Sequence, residues 1–133
     1  MTTKVRPRLI ARLDVKNDFL IKTIQLEGLR KIGDPLDYAE RYYHEGIDEI
    51  IFMDIVASLY GRCNVFSVVK RLVQNVFVPV TVGGGIATYA DAELAFEHGA
   101  DKIAINSAAV RNIEFITNLA KRFGSQAIVG SIE

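Results

Sequence analysis

The sequence predicts an α/β protein in which parallel strands alternate with helices, and two observations support this class. Short, largely apolar runs recur, most of them rich in Val and Ile and too short for typical helices. Segments with helical periodicity separate these runs, which lie at residues 8–15, 49–56, 78–82, 102–106 and 127–132. Alternation of this kind is typical of parallel strands joined by right-handed crossovers, in a sheet that helices cover.

The four helical segments lie at about 34–46, 68–76, 88–98 and 113–123. Asp34 and Thr88 are suitable N-caps for the first and third segments. Glycines follow three of the segments, at Gly46, Gly99 and Gly124, as is common just beyond a helix C-terminus. Flavodoxin-like sheets and (βα)8 barrels both have this order of elements, and periodicity alone leaves both open.

A small hairpin is predicted after the first strand. Asn17 and Asp18 are turn residues between two β-prone runs, at 14–16 and 19–26. Residues 27–33, with a glycine near each end, are predicted to form a flexible loop. A long excursion at the end of a strand is usually functional or mobile.

Composition and charge argue against several classes of protein. The 133 residues suit one domain, and 50% hydrophobic with 24% charged residues predicts a soluble packed core. Lys plus Arg and Asp plus Glu both number 16, and a net charge of zero argues against non-specific nucleic-acid binding. The single cysteine, Cys63, favours a reducing cytoplasm. Arg12 and Asp14 interrupt the first apolar stretch, which argues against a signal peptide, and no run is long enough for a membrane span.

A run of glycines at the end of the third strand is a candidate anion site. Gly83, Gly84 and Gly85 lack a Cβ atom, so their backbone N–H groups can approach a ligand. The alternative is a tight turn between strand and helix. Asn106 and Ser107 end the fourth strand, where the alternative role is a loop cap. Because the two adjacent strands would offer donors at the same edge, both motifs together favour phosphate binding.

Three carboxylates and one lysine are candidates for chemistry. Asp14 ends the first strand and is either a partner of a backbone N–H group or a catalytic acid or base, and Asp54 is the matching carboxylate of the second strand. Lys22 either binds an anionic substrate or is a solvated charge of the hairpin. Glu133 is either a second catalytic carboxylate or simply a chain end.

A series of short motifs resembles one family in order and spacing. They are Arg8-Leu-Ile-Ala-Arg-Leu-Asp14-Val-Lys, Leu-Ile-Lys22, Gly33-Asp-Pro, Gly46-Ile-Asp-Glu-Ile, Met53-Asp-Ile, Val82-Gly-Gly-Gly-Ile, Gly99-Ala-Asp-Lys-Ile, Ile105-Asn-Ser-Ala-Ala-Val and Phe123-Gly-Ser-Gln-Ala. In these motifs the sequence resembles the cyclase subunits of imidazole glycerol phosphate synthase. The resemblance covers essentially the whole chain and only the first half of the family's length.

The resemblance implies a fold and a reaction. The fold is a (βα)8 barrel, of which residues 1–133 would form a single domain covering about strands one to five. The reaction takes ammonia from a glutaminase partner, in histidine biosynthesis. It converts a phosphorylated ribulosyl-formimino carboxamide ribonucleotide to imidazole glycerol phosphate and an aminoimidazole carboxamide ribonucleotide. No metal or redox cofactor is implied.

The resemblance also implies roles for individual residues. Asp14 and Glu133 correspond to the two catalytic carboxylates. The remaining expected roles are substrate binding by Lys22 and Asp54, phosphate binding by Gly84, Gly85, Asn106 and Ser107, an ammonia gate of Arg8, Glu49 and Lys102, and a glutaminase interface at Asp101 and Gln126.

Departures from the family pattern leave other functions open. Glu133 stands where the family normally has Asp, Arg12 replaces a small residue near Asp14, and Val56 replaces a hydroxyl residue. These changes favour a paralogous group associated with amidation of surface sugars, again with ammonia from a glutaminase. A further alternative is a half-barrel that binds phosphate without catalysis. The 133-residue chain by itself is expected to be inactive and to form homo-oligomers.

Overall fold

A computed structural model describes residues 4–16, 19–24, 28–55 and 65–132. Strands and helices alternate along most of this length, as the sequence predicts. The elements are β1 (Ile10–Lys16), β2 (Phe19–Ile24), β3 (Gly28–Gly33), α1 (Pro35–His44), β4 (Glu49–Asp54), α2 (Val65–Leu72), β5 (Val80–Gly83), α3 (Tyr89–Glu97), β6 (Lys102–Ile105), α4 (Ser107–Arg111), α5 (Ile113–Phe123), a 3-10 turn (Ser125–Ala127) and β7 (Ile128–Gly130).

The strands form one sheet in the order β3-β2-β1-β4-β5-β6-β7. The five strands predicted from the apolar runs, β1, β4, β5, β6 and β7, are parallel and adjacent in sequential order. This order confirms the predicted α/β class and is that of part of a (βα)8 barrel. A flavodoxin-like sheet is excluded, because its first strand would lie between the second and the third.

One row of paired residues crosses the parallel strands from β1 to β7. Asp14 pairs with Met53, Met53 with Gly83, Gly83 with Ala104, and Ala104 with Val129. Residues paired in this way point to the same face of a sheet, because side chains alternate along each strand. Asp14 therefore shares its face with the end of the glycine-bearing strand.

The excursion after β1 is partly as predicted and partly different. β2 pairs antiparallel with β1, which confirms the hairpin, although its turn at Asn17 and Asp18 lies outside the described residues. The predicted loop at 27–33 is wrong, because β3 (Gly28–Gly33) pairs antiparallel with β2. The glycines suggested a loop, but the pairing satisfies backbone N–H and C=O groups of β2 that would otherwise form an open edge.

Helix ends follow the predicted caps. The Asp34 side chain accepts a hydrogen bond of 2.8 Å from the backbone N–H of Leu36 at the start of α1. Thr88 and Asp91 form a capping box at α3, in which the Thr88 Oγ1 accepts from the Asp91 N–H at 3.1 Å. The short helix α4 was not predicted, since Asn106 and Ser107 suggested only the end of a strand.

The core lies between the sheet and its helices. Its strand residues are Leu13, Val15, Ile50, Phe52, Val80, Val82, Ile103 and Ile105, and its helix residues include Val65, Phe66, Val69, Leu72, Ala92, Ala95, Phe115 and Leu119. Burying a side chain such as that of Phe52 stabilises a fold by about 1.5–3 kcal/mol. Along β1, Leu13 and Val15 are buried in this core, whereas Arg12 and Asp14 alternate to the opposite face.

Candidate functional site at the carboxyl edge of the sheet

A cavity of about 320 Å³ opens where β4, β5 and β6 end. Five residues singled out from the sequence line it together: Asp54, Gly84, Gly85, Asn106 and Ser107. Its other lining residues are Arg12, Met53, Ile55, Ile86, Ala87, Ala104, Ala108 and Arg111. The carboxyl ends of parallel strands, where loops converge, are the usual place for ligands in α/β folds.

Packing alone requires glycine at the end of β5. Gly84 and Gly85 have φ of 90° and 73°, a region that L side chains rarely adopt. A Cβ atom on Gly84 would lie 2.1 Å from the carbonyl oxygen of Asp54, and one on Gly83 would lie 2.4 Å from the Met53 Sδ. Only glycine allows the end of β5 to lie this close to β4, and Gly84 and Gly85 both line the cavity.

Asn106 and Ser107 lie beside the glycine run on the next strand. Both are exposed, and they mark the junction between β6 and α4. The Asn106 side chain forms no capping hydrogen bond, whereas its backbone oxygen accepts from Ala109 and Val110 at 3.0 and 3.2 Å. The amide and hydroxyl groups at this junction are consequently polar groups on the wall of the cavity and not a side-chain cap.

Asp14 reaches the cavity through Arg12. The Nε atom of Arg12 donates to the Oδ1 atom of Asp14 at 3.0 Å, and the two side chains are 43% and 34% exposed. Arg12 itself lines the cavity. Arg12 was not predicted to line a site, yet it lies on the cavity wall and contacts the candidate acid or base.

Asp54 lies deeper than the other candidate residues. It ends β4 and is 3% exposed, yet it forms part of the cavity wall. A carboxylate this far from solvent is costly without a hydrogen-bond partner, and Asp54 is not without a partner.

A cluster of three charged side chains lies at the opposite, amino edge of the sheet. Glu49, whose side chain is 6% exposed, forms an ion pair with Arg8 and accepts from the Nζ atom of Lys102 at 3.3 Å. The structure thus brings together the three residues of the expected ammonia gate. The two cations compensate the charge of Glu49, which allows a buried carboxylate at the start of β4.

Asp101 and Gln126 are exposed near the same amino edge. Asp101 precedes β6, and its Oδ2 atom accepts from the backbone N–H of Val80 at 2.8 Å. Gln126 lies in the 3-10 turn before β7. The bond to Val80 gives Asp101 a structural function at the start of β5, whatever else it contacts.

Two candidate residues, Lys22 and Glu133, remain. Lys22 lies in β2, where its backbone pairs with Arg30, and its side chain is outside the described part of the structure. Glu133 lies outside the described residues. Within the described ranges, no group of three or more His, Cys, Asp or Glu residues could hold a metal ion, and no helix could cross a membrane.

The sequence analysis missed Arg111 as a residue of the cavity. Arg111 ends α4 and is four residues after Ser107, so both lie on one face of that helix. The four-residue spacing of Ser107 and Arg111 could have indicated this, but only if residues 107–111 had been predicted to be helical.

The fold and the cavity together define a class of protein. Its members have consecutive βα units of the barrel type and a site at the carboxyl edge of the sheet that suits an anion. Residues 8–133 match the family model described as histidine biosynthesis protein, and the chain belongs to this family. It is 57% identical over 126 residues to imidazole glycerol phosphate synthase subunit HisF of Legionella pneumophila, covering 95% of this chain and 59% of that protein. It is 47% identical over 126 residues to the subunit HisF of Myxococcus xanthus (strain DK1622), covering 95% and 50%. The chain therefore spans between half and three fifths of the length of these relatives.

Proposed function

We propose that this chain forms the N-terminal half of a (βα)8 barrel and that the protein containing it is a cyclase subunit of the imidazole glycerol phosphate synthase type. The observation that carries the proposal is the cavity at the carboxyl edge, where Gly84, Gly85, Asn106 and Ser107 converge. In this proposal the protein uses ammonia to form imidazole glycerol phosphate and an aminoimidazole carboxamide ribonucleotide. A cytoplasmic location agrees with a biosynthetic role.

One phosphate group of the substrate binds where β5 and β6 end. Backbone N–H groups of the glycine run and the polar groups of Asn106 and Ser107 are hydrogen-bond donors for its oxygens. The positive φ of Gly84 and Gly85 turns the backbone so that successive N–H groups can face one anion. Lys22 and Asp54 contact the remainder of the substrate in this proposal.

Asp14 transfers protons during ammonia addition and ring closure, with Glu133 as the second carboxylate. Ammonia first replaces the ketone oxygen, which leaves as water. At ring closure the new nitrogen then bonds to the formimino carbon while the C–N bond from that carbon to the aminoimidazole carboxamide ribonucleotide breaks. Protons must therefore be taken from the incoming nitrogen and given to the leaving oxygen and to the leaving amine. A carboxylate on a rigid strand next to the cavity suits this task. The position of Asp14 in the same row as the end of β5 supports the assignment.

Ammonia enters from the amino edge, through the cluster of Arg8, Glu49 and Lys102. The cluster lies at the end of the strands opposite to the cavity, so an ammonia molecule passing along the sheet face would reach the reacting groups. The exposed Asp101 and Gln126 near this edge belong to the surface that meets the glutaminase.

A second candidate function is favoured by Arg12. Its long cationic side chain occupies part of the cavity wall beside Asp14, where the cyclase pattern has a small residue. A substrate of different shape, such as the surface sugar of the paralogous ammonia-using group, would account for this change.

Genetic complementation distinguishes the two functions. The complete open reading frame that contains this chain is expressed in a bacterial strain that lacks only its own cyclase subunit, on medium with ammonium salt. The cyclase proposal predicts growth without histidine. Lack of growth despite soluble expression would reject it in favour of the sugar-amidating paralogue or a scaffold without catalysis.

A further inference from the structure

Arg111 provides an unassigned positive charge on the cavity wall. It ends α4, is exposed, and lines the cavity together with Gly84, Gly85 and Ser107. Since it follows Ser107 by one turn of the helix, its side chain lies on the face that carries the Ser107 hydroxyl. No role expected from the sequence includes this residue.

The charges on the cavity wall are Arg12, Asp54 and Arg111 among the residues that the structure describes. Arg12 is paired with Asp14, and Asp54 is buried and takes part in an interaction of its own. Arg111 forms no hydrogen bond or ion pair within the described ranges. It is therefore the cation of this cavity that remains available to an anionic ligand.

We propose that Arg111 is a ligand of the phosphate group that binds at Gly84, Gly85 and Ser107, and that it supplies the positive charge of this site. This proposal rests on the phosphate site of the proposed function, and it adds Arg111 as the positive charge that balances the phosphate. Neutral donors position a phosphate but leave its charge uncompensated. A guanidinium group adds charge-assisted, geometrically matched hydrogen bonds, which are roughly twice as strong as neutral ones.

Titration with inorganic phosphate tests this role directly. Backbone amide shifts of Gly84, Gly85 and Ser107 are followed in the wild-type chain and in the Arg111→Gln variant. We expect the variant to bind phosphate at least about tenfold more weakly, because it loses a charge-assisted hydrogen bond. Arg111→Lys, which keeps the charge but not the planar fork, should have an intermediate dissociation constant.

Arg71→Gln is the matched control, since Arg71 is an exposed arginine in the last turn of α2 and does not line the cavity. It should leave the dissociation constant unchanged. Equal weakening by Arg71→Gln and Arg111→Gln would show a general charge effect and overturn the proposal, as would Arg111→Gln with wild-type affinity. Absence of any shift at Gly84, Gly85 and Ser107 in the wild type would reject the phosphate site itself. These outcomes separate failure of the role of Arg111 from failure of the proposed function.

Discussion

At the scale of single residues, the glycines at the end of β5 show how packing and ligand chemistry impose the same requirement. Gly84 needs both a positive φ and the absence of a Cβ atom, because its nearest neighbour is the backbone of Asp54. The sequence predicted the special role of these glycines but left the reason open. The close approach of two strand ends could not be predicted, since it depends on the pairing of β4 with β5.

Gly46 and Gly84 form a matched pair for testing this requirement. Both have positive φ, at 97° and 90°, but a Cβ atom on Gly46 meets nothing within 4 Å. Gly46→Ala should cost about 1–2 kcal/mol of unfolding free energy, from backbone conformation alone. Gly84→Ala should cost at least about 1 kcal/mol more, because it adds a clash with backbone atoms. Urea denaturation measures both, and equal losses would show that the contact with Asp54 is easily relieved.

The candidate site was predictable to the extent that its residues follow strands. Asp54 is the last residue of β4, and Gly84, Gly85, Asn106 and Ser107 come directly after strands; parallel strands bring their carboxyl ends to one edge. Arg111 could not be found in this way, because its position depends on a five-residue helix without a recognised cap. The ion pair of Arg12 with Asp14 was also missed, although residues i and i+2 of a strand lie on the same face of a sheet.

At the scale of elements, helix caps were the most reliable local signal. Asp34 and Thr88 cap α1 and α3 as predicted, and each bond lies within one turn, independent of the rest of the fold. Strand β3 was missed because it depends on contacts beyond its own segment. Its sequence has a glycine at each end, and only its pairing with β2 makes it a strand.

Thr88→Ala tests the contribution of the capping box to α3. The Thr88 hydroxyl accepts from the Asp91 N–H, and the Asp91 carboxylate accepts from the Thr88 N–H at 3.0 Å. Loss of the cap should lower the free energy of unfolding by about 1 kcal/mol, within a range of 0.5–2. Thr117→Ala, at an exposed site within α5, is the control and should change it by no more than about 0.5 kcal/mol. Equal effects of the two substitutions would contradict the capping role.

At the scale of the whole molecule, strand edges are unpaired within the described residues, and one face of the sheet carries partly exposed apolar side chains. Strand β7 pairs with β6 on one side, and within the described residues β1 from Ile10 to Asp14 pairs only with β4. Ile10 is 42% exposed, and Ile51 and Val129 are half-buried, whereas Ala104 is buried. The strand register confirms that these four residues share a face with Asp14.

The 133-residue chain expressed by itself should therefore associate with copies of itself. Unpaired backbone groups at a strand edge pair readily with another strand, and the exposed apolar side chains add to the tendency. Sedimentation equilibrium at low micromolar concentration should give a mass of at least twice 14.8 kDa. A soluble monomer at that concentration would show that these edges are protected.

The central claim is that Asp14 transfers protons in an ammonia-dependent ring closure. The most direct test is steady-state turnover of the complete protein that contains this chain, with ammonium salt and the ribulosyl-formimino substrate. Wild-type protein should form imidazole glycerol phosphate. Asp14→Asn should lower the rate about 10²–10⁴-fold while keeping the fold, because an amide cannot accept the proton. The control Asp37→Asn, at an exposed position of α1, should match the wild type. An Asp14→Asn variant that turns over at the wild-type rate would contradict the account.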